Sequence, residues 1–329
     1  MSPLTLIPPK GVFVPSPTFF HPAASSATSS QPDVDVETQV KHSIFLAKSG
    51  ITGIVLLGST GEAVHLTRAE RSNLVSAVRK GLDDAGFPDY PLMGGALTNG
   101  ELEETLQWLD DYAKAGAQWG LVLTPGYFGP AVSQDGLAEW YRIVADRSPI
   151  PILVYNYPGV TNGVQVLPET YRILARHERI VGCKMSHGNV SHHVQVSLDP
   201  NIDHDKFRVY SGFGTQLGPI VQFGAAGVID GMAAFYPKTV VRLSKLMLRG
   251  DRTAAEEAEA QWLQFVVSQG GEFVMRYGII GIKEATYRVA GFGNLEGGRL
   301  PIRGKLPDGA WDKAKALFLQ NIEQTEAAL

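Results

Sequence analysis

Short apolar, β-branched runs recur along the chain, with amphipathic stretches between them. The runs are Gly11–Pro15, Ile51–Leu57, Pro91–Gly95, Trp119–Thr124, Ile152–Tyr155, Ile180–Lys184, Phe207–Ser211 and Gly227–Asp230. Continuous short runs of this kind read as strands buried on both faces. Their starts lie on average about 31 residues apart, the length of one strand–helix–strand step. Arg68–Leu82 and Leu102–Lys114 are two of the intervening amphipathic stretches, and Thr98-Asn99 offers N-cap chemistry ahead of the second. Parallel strands need crossover helices. Eight such units predict an α/β protein closed into a (β/α)8 TIM barrel. The rival architecture, an open doubly wound sheet, would call for a GxGxxG turn after the first strand, and none is there.

Beyond the eighth strand the chain reads as helical over Thr239–Leu248, Thr253–Ser268 and Ala310–Glu326. The expected organisation is a catalytic barrel over 1–235 and C-terminal helices over 236–329, packed on the barrel and not forming an independent domain. The serine-rich patch Ala23–Pro32 reads as a long flexible loop.

Composition narrows the functional classes. Lys plus Arg number 29 against 33 Asp plus Glu, a net charge of -4, which speaks against a nucleic-acid partner because polyanions demand a basic excess. The single cysteine, Cys183, leaves no internal disulfide or cysteine-based metal cage and suits a reducing compartment. No apolar run approaches the ~20 residues of a membrane span, and MSPLTLIPPKG lacks the pattern of a secretory signal. The expectation is a soluble cytoplasmic protein with no membrane partner.

In a TIM barrel the chemistry sits at the C-terminal ends of the strands. Those ends here are Gly58-Ser-Thr-Gly-Glu62, Thr124-Pro-Gly-Tyr-Phe-Gly129, Tyr155-Asn-Tyr-Pro158, Lys184, Ser211-Gly-Phe-Gly214 and Asp230-Gly231. Lys184 follows an apolar strand, where a charged amine is costly unless its pKa falls or it finds a partner. A desolvated lysine attacks carbonyls and forms Schiff bases; the bland alternative is a strand-end lysine reaching for water. Tyr155, one strand away, can move a proton, or can be a plain core-edge aromatic. Ser59 and Thr60 lie between glycines at a turn able to hold a small carboxylate, or are simply a tight turn. Together these groups describe a site for an α-keto acid.

The same residues carry a resemblance. Gly58-Ser-Thr-Gly-Glu62 is similar to the GTTGE motif of the dihydrodipicolinate synthase / N-acetylneuraminate lyase family of Schiff-base class I aldolases, and Tyr155-Asn-Tyr-Pro158 resembles its YNxP. Lys184 falls where the family's imine lysine is expected. Tyr210–Gly214, Gly224–Ile229, Tyr277–Lys283 and Arg299–Ile302 extend the likeness over about residues 10 to 325. The resemblance implies an imine between Lys184 and a 2-oxo acid, with Tyr155 as proton shuttle. It also implies carboxylate binding by Gly58, Ser59 and Thr60, Thr60 being counted among the catalytic groups. Tyr127 would be the tyrosine that reaches across a subunit interface into the neighbour's relay. Partners would be a 2-oxo acid and an aldehyde, with no cofactor and no metal, in a homodimer or homotetramer. Gly281-Ile-Lys-Glu-Ala-Thr286 spells the lysine motif more closely, but it lies in the helical extension, where Lys283 is not expected to face the barrel mouth beside Tyr155.

One departure bears on substrate. Family synthases that use aspartate semialdehyde carry an arginine two residues after the YNxP proline; here that place is Val160. A second carboxylate would lose its bidentate partner. Tyr157-Pro-Gly159 and the serine-rich insertion look more like fungal aldolases that cleave 2-keto-3-deoxy-L-galactonate to pyruvate and L-glyceraldehyde. Ser186, His187, Ser211, Gly212 and Thr215 are candidates to meet a neutral polyol aldehyde. Dihydrodipicolinate synthesis and 4-hydroxy-2-oxoglutarate cleavage stand as alternatives, as does a catalytically silent binding protein. His187, His192 and His193 raise a metal-dependent aldolase as rival chemistry, although His192 and His193 open a helix and are expected on its surface.

Overall fold

Each apolar run forms one strand in the computed structural model, which describes residues 6–22 and 31–329. The strands are β1 (Gly11–Pro15), β2 (Gly53–Leu56), β3 (Leu92–Ala96), β4 (Trp119–Leu123), β5 (Ile152–Asn156), β6 (Ile180–Met185), β7 (Arg208–Ser211) and β8 (Gly227–Ile229). All neighbouring pairs are parallel, and β8 pairs back onto β1, closing the barrel in sequence order. Most of the serine-rich loop expected over Ala23–Pro32 falls on 23–30, outside the described residues.

The helices alternate with the strands as α1 (Val36–Lys48), α2 (Arg68–Asp84), α3 (Leu102–Lys114), α4 (Gln134–Arg147), α5 (Pro168–Leu174), α6 (Val190–Ser197), α7 (Leu217–Gln222) and α8 (Pro237–Leu248). Thr67 opens α2 with a reciprocal capping box to Glu70. The cap of α3 differs from the sequence expectation. Asn99 turns the chain in the left-handed region at φ 55°, and Glu101 takes over as N-cap, its carboxylate accepting from the Glu103 and Glu104 amides. Helix α8 packs beside β1 and α7 as the eighth helix of the ring, so a division at residue 235 falls between β8 and the helix that completes the barrel.

The chain continues as α9 (Ala254–Ala290), α10 (Ala310–Ala314), a π-helical stretch over Lys315–Leu319 and α11 (Gln320–Ala328). Helix α9 is far longer than the sequence pattern marks. It starts at a Thr253–Glu256 capping box and breaks at Gly278, whose φ of 55° and ψ of -144° leave the helical region. A left-handed φ of that kind favours glycine. The break sits over the barrel mouth, where the two halves of α9 contribute Val274, Met275, Ile279 and Ile282 to the cavity wall.

Candidate active site

A cavity of about 350 Å³ opens at the C-terminal ends of the strands, where a TIM barrel keeps its chemistry. Strand register sets its floor. Tyr155 on β5 and Lys184 on β6 are Cα partners, so both side chains point to the same face of the sheet. Both line the cavity, buried to 2 % and 5 % exposure, and the Lys184 Nζ lies 4.5 Å from the centre of the Tyr155 ring. Burial pushes the Lys184 pKa down to about 7, with the negative charge of Asp230 pulling the other way. An amine so tuned is largely unprotonated just above neutral pH and is a competent nucleophile. Asp230, at the end of β8, is fixed by the Gly214 and Ala233 amides at 2.9 and 3.2 Å.

The phenol of Tyr155 meets the Ser59 hydroxyl at 3.3 Å. Burial raises its pKa, opposed by hydrogen bonds with Ser59 and Ser186. Tyr157 stacks on it, ring centres 5.8 Å apart. Ser59 and Thr60 both line the cavity, and Gly58 is buried behind them. Of the two hydroxyls, Ser59 rather than Thr60 is the one bonded to Tyr155. The Gly58–Gly61 turn lies between two non-glycine residues in left-handed conformation, Leu57 at φ 61° and Glu62 at φ 51°. Strained backbone of this type costs about 1–3 kcal/mol per residue and persists only where its surroundings enforce it. The enforcement is visible. Glu62 is buried and takes an ion pair from Lys283 Nζ at 2.5 Å, and Thr18 Oγ1 donates to Gly61 O at 2.6 Å. Lys283 thus turns away from Tyr155 and braces the turn from behind.

Gly212 lines the opposite wall against Ser186; a Cβ there would stand 2.1 Å from Ser186 Oγ. The structure separates the remaining sequence candidates from the mouth. Ser211 alternates to the outside of β7, donating to Gln216 Oε1 at 2.6 Å. Thr215 packs beneath α9 against Gly271. His187 does not line the cavity: its ring stacks on His192 and tilts onto His193, each 4.8 Å away. The surface expectation for His192 and His193 is overturned. Helix α6 is only eight residues long and wedged against neighbours. His193 is fully buried between the Asn189 and Met185 carbonyls, and His192 lies 6.0 Å from Tyr171. Tyr127 is 71 % exposed and packs edge-on against the equally exposed Phe128, outside this chain's own cavity.

Sequence reasoning missed the apolar wall from α9 and from Tyr157 and Phe213. Among the described residues, Lys184 is the one basic side chain lining the cavity. Val160 stands at the rim, half exposed. Arg142 is held by Asp146 on α4, and Arg208 by His204 O at the start of β7.

The model of the Dihydrodipicolinate synthetase family matches residues 20–304. A curated relative from Hypocrea jecorina, named L-threo-3-deoxy-hexylosonate aldolase, is 35 % identical over 300 residues, 90 % of each chain. One from Emericella nidulans, named "Probable 4-hydroxy-2-oxoglutarate aldolase, mitochondrial", is 35 % identical over 283 residues, 86 % of each. Among solved structures, a dihydrodipicolinate synthase family protein from Coccidioides immitis superposes with a TM-score of 0.81 at 26 % identity, covering 100 % of both chains. Among the described residues no helix is long and apolar enough to cross a membrane.

Proposed function

The chain belongs to the dihydrodipicolinate synthetase family, and we propose that within it the protein is a Schiff-base aldolase that cleaves 2-keto-3-deoxy-L-galactonate to pyruvate and L-glyceraldehyde, or joins them. The observation that carries this reading is a buried amine beside a buried phenol, in a cavity with no second cation among the described residues to greet a second carboxylate.

The neutral Lys184 amine attacks C2 of the 2-oxo acid. The carbonyl oxygen gains protons by way of Tyr155 and departs as water, leaving the imine. The imine draws electrons from C3, so in cleavage the C3–C4 bond breaks as the C4 hydroxyl yields its proton to the relay and leaves as the aldehyde. The enamine takes a proton at C3, and water hydrolyses the imine to free pyruvate and Lys184. Ser59, 3.3 Å from the phenol, continues the proton path, and the Gly58–Thr60 turn holds the substrate carboxylate. A homodimer or homotetramer in which Tyr127 extends the relay of a second copy accounts for the solvent-facing Tyr127–Phe128 pair. The buried free thiol Cys183 suits a reducing compartment such as the cytoplasm.

Aspartate semialdehyde or glyoxylate would bring a second carboxylate to a rim where Val160 offers no donor. Desolvating it there costs of order several kcal/mol, whereas neutral hydroxyls need ordinary hydrogen bonds of about 1 kcal/mol each. Incubating the purified protein with 2-keto-3-deoxy-L-galactonate and following pyruvate release tests the assignment. Release of pyruvate with L-glyceraldehyde is expected; no release, with brisk turnover of 4-hydroxy-2-oxoglutarate, contradicts it.

A further inference from the structure

One side chain joins two loops at the barrel mouth. Asn162, in the loop after β5, donates from Nδ2 to Gly126 O at 3.0 Å and to Tyr127 O at 3.1 Å in the loop after β4. A primary amide has two N–H donors, and here both go to successive carbonyls of one loop. Gly126 O also accepts from the Gly129 amide at 3.0 Å, so both of its lone pairs are taken. The donating loop is itself tied. Val160 N bonds Tyr157 O and Gly163 N bonds Pro158 O, each at 3.0 Å. Buried Thr161 packs against Gly126, where an added Cβ would stand 2.3 Å from the Thr161 Cβ. Asn162 makes its reach with φ at 50°, a left-handed conformation that asparagine tolerates and β-branched residues do not.

We infer that Asn162 is a positioning residue for the aldol reaction: it fixes the loop that presents Tyr127 to a second copy. The inference rests on the reading above in which Tyr127 extends the relay of that copy. Tyr127 projects into solvent beside Phe128, so within one chain its place is set chiefly by its backbone. An exposed loop left untied samples many positions, and that freedom is lost each time the tyrosine docks. Two hydrogen bonds from a stiff neighbouring loop remove much of it beforehand. That neighbour is rooted in β5, the strand that carries Tyr155. One loop therefore ties the tyrosine offered to the partner copy to the strand of the chain's own phenol. Asn162 does not line the cavity, and no bond of the substrate is made or broken at it; it acts through Tyr127.

A mutant cycle tests this. The substrate is whichever of 2-keto-3-deoxy-L-galactonate and 4-hydroxy-2-oxoglutarate the wild-type protein cleaves faster. Its kcat is measured for wild type, Asn162→Gly, Tyr127→Phe and the double variant, with end-point borohydride trapping of pyruvate alongside. Glycine accepts the same φ and removes the donor. Asn162→Gly is expected to lower kcat by about tenfold, the scale of a loop position depopulated by losing two ordinary hydrogen bonds. Tyr127→Phe is expected to lower it by about 10²-fold or more. Adding Asn162→Gly to Tyr127→Phe should then lower kcat by less than about twofold further, because the residue has nothing left to position. Asn162→Asp, which keeps the shape but turns an acceptor on two carbonyls, should fall at least as far as Asn162→Gly. Trapping should reach the same end point in every variant. Wild-type kcat in Asn162→Gly or Asn162→Asp, beside an impaired Tyr127→Phe, overturns the inference and leaves the Tyr127 reading standing; so do losses that multiply in the double variant. Wild-type kcat in Tyr127→Phe overturns the Tyr127 reading and this inference with it. Absence of trapping in the wild-type protein overturns the imine reading and, with it, both.

Discussion

Lys184 and Tyr155 are neighbours across the β5–β6 seam, Cα paired with Cα, with the amine 4.5 Å from the ring centre. Parallel pairing makes this geometry rigid, since neither residue can turn to the other face without a register slip. The amine is therefore held dry by an aromatic neighbour that also carries a phenol.

The first consequence is a pH profile. Burial brings Lys184 from 10.5 down to about 7, and only the neutral amine attacks a carbonyl. The rate of imine formation with pyruvate should rise with pH through about 7 and level off above it; an ordinary lysine would keep climbing to about 10. Asp230 favours the ammonium form, so Asp230→Asn should move the inflection to lower pH. Stopped-flow imine formation across pH reads both, and an inflection moving upward in Asp230→Asn would contradict the assigned cause.

Removing the Tyr155 hydroxyl isolates the proton transfer. Tyr155→Phe keeps the ring that shields Lys184 and should lower kcat by roughly 10²–10⁴, the scale of a positioned acid–base group. Steady-state turnover of the keto acid measures it. Turnover within twofold of wild type would assign the proton to another group.

The buried Glu62–Lys283 pair gives a stability prediction. Lys283→Met takes from the buried Glu62 carboxylate its lysine partner and leaves it His65 Nδ1 at 3.2 Å and the Arg299 amide at 3.5 Å, a loss of up to about 3–5 kcal/mol. The double substitution Glu62→Gln with Lys283→Met should recover much of it. Urea unfolding of the two variants decides the point: equal losses would mean that the ion pair does not brace the turn. Because the turn carries Ser59 and Thr60, the single variant should also raise KM for pyruvate.

Substrate choice should turn on Val160. The wild-type protein should favour glyceraldehyde over aspartate semialdehyde in kcat/KM. Val160→Arg places a guanidinium at the rim and should shift that ratio toward aspartate semialdehyde by about tenfold or more, the range of a charge-assisted hydrogen bond. An unchanged ratio would remove the missing cation as the basis of selectivity.

All eight strands were legible in the sequence because strands buried on both faces leave continuous apolar runs, and strand ends are the places where a barrel displays its chemistry. Lys184, Tyr155, Ser59 and Thr60 could be brought to one rim on that ground alone. Ser211 could have been set aside by the same logic: β7 pairs Tyr210 with Lys184 and Ser211 with Met185, so alternation sends Ser211 outward. The role of α9 was not legible. Its bend depends on one left-handed glycine, Gly278, and Lys283 meets Glu62 across 221 residues of chain, a pairing that leaves no local pattern. The buried histidines were misread because two adjacent helical residues rarely both face inward; here the short α6 is enclosed on several sides, and His193 finds two carbonyls to bond.

The central claim is that Lys184 is the imine lysine, although Lys283 sits in the more familiar motif. Reduction of the protein with borohydride in the presence of pyruvate, followed by peptide mapping, tests it directly. The account predicts a carboxyethyl group on the peptide containing Lys184, absent without pyruvate and absent in Lys184→Ala. An adduct on Lys283, or pyruvate-dependent labelling that persists in Lys184→Ala, would contradict it.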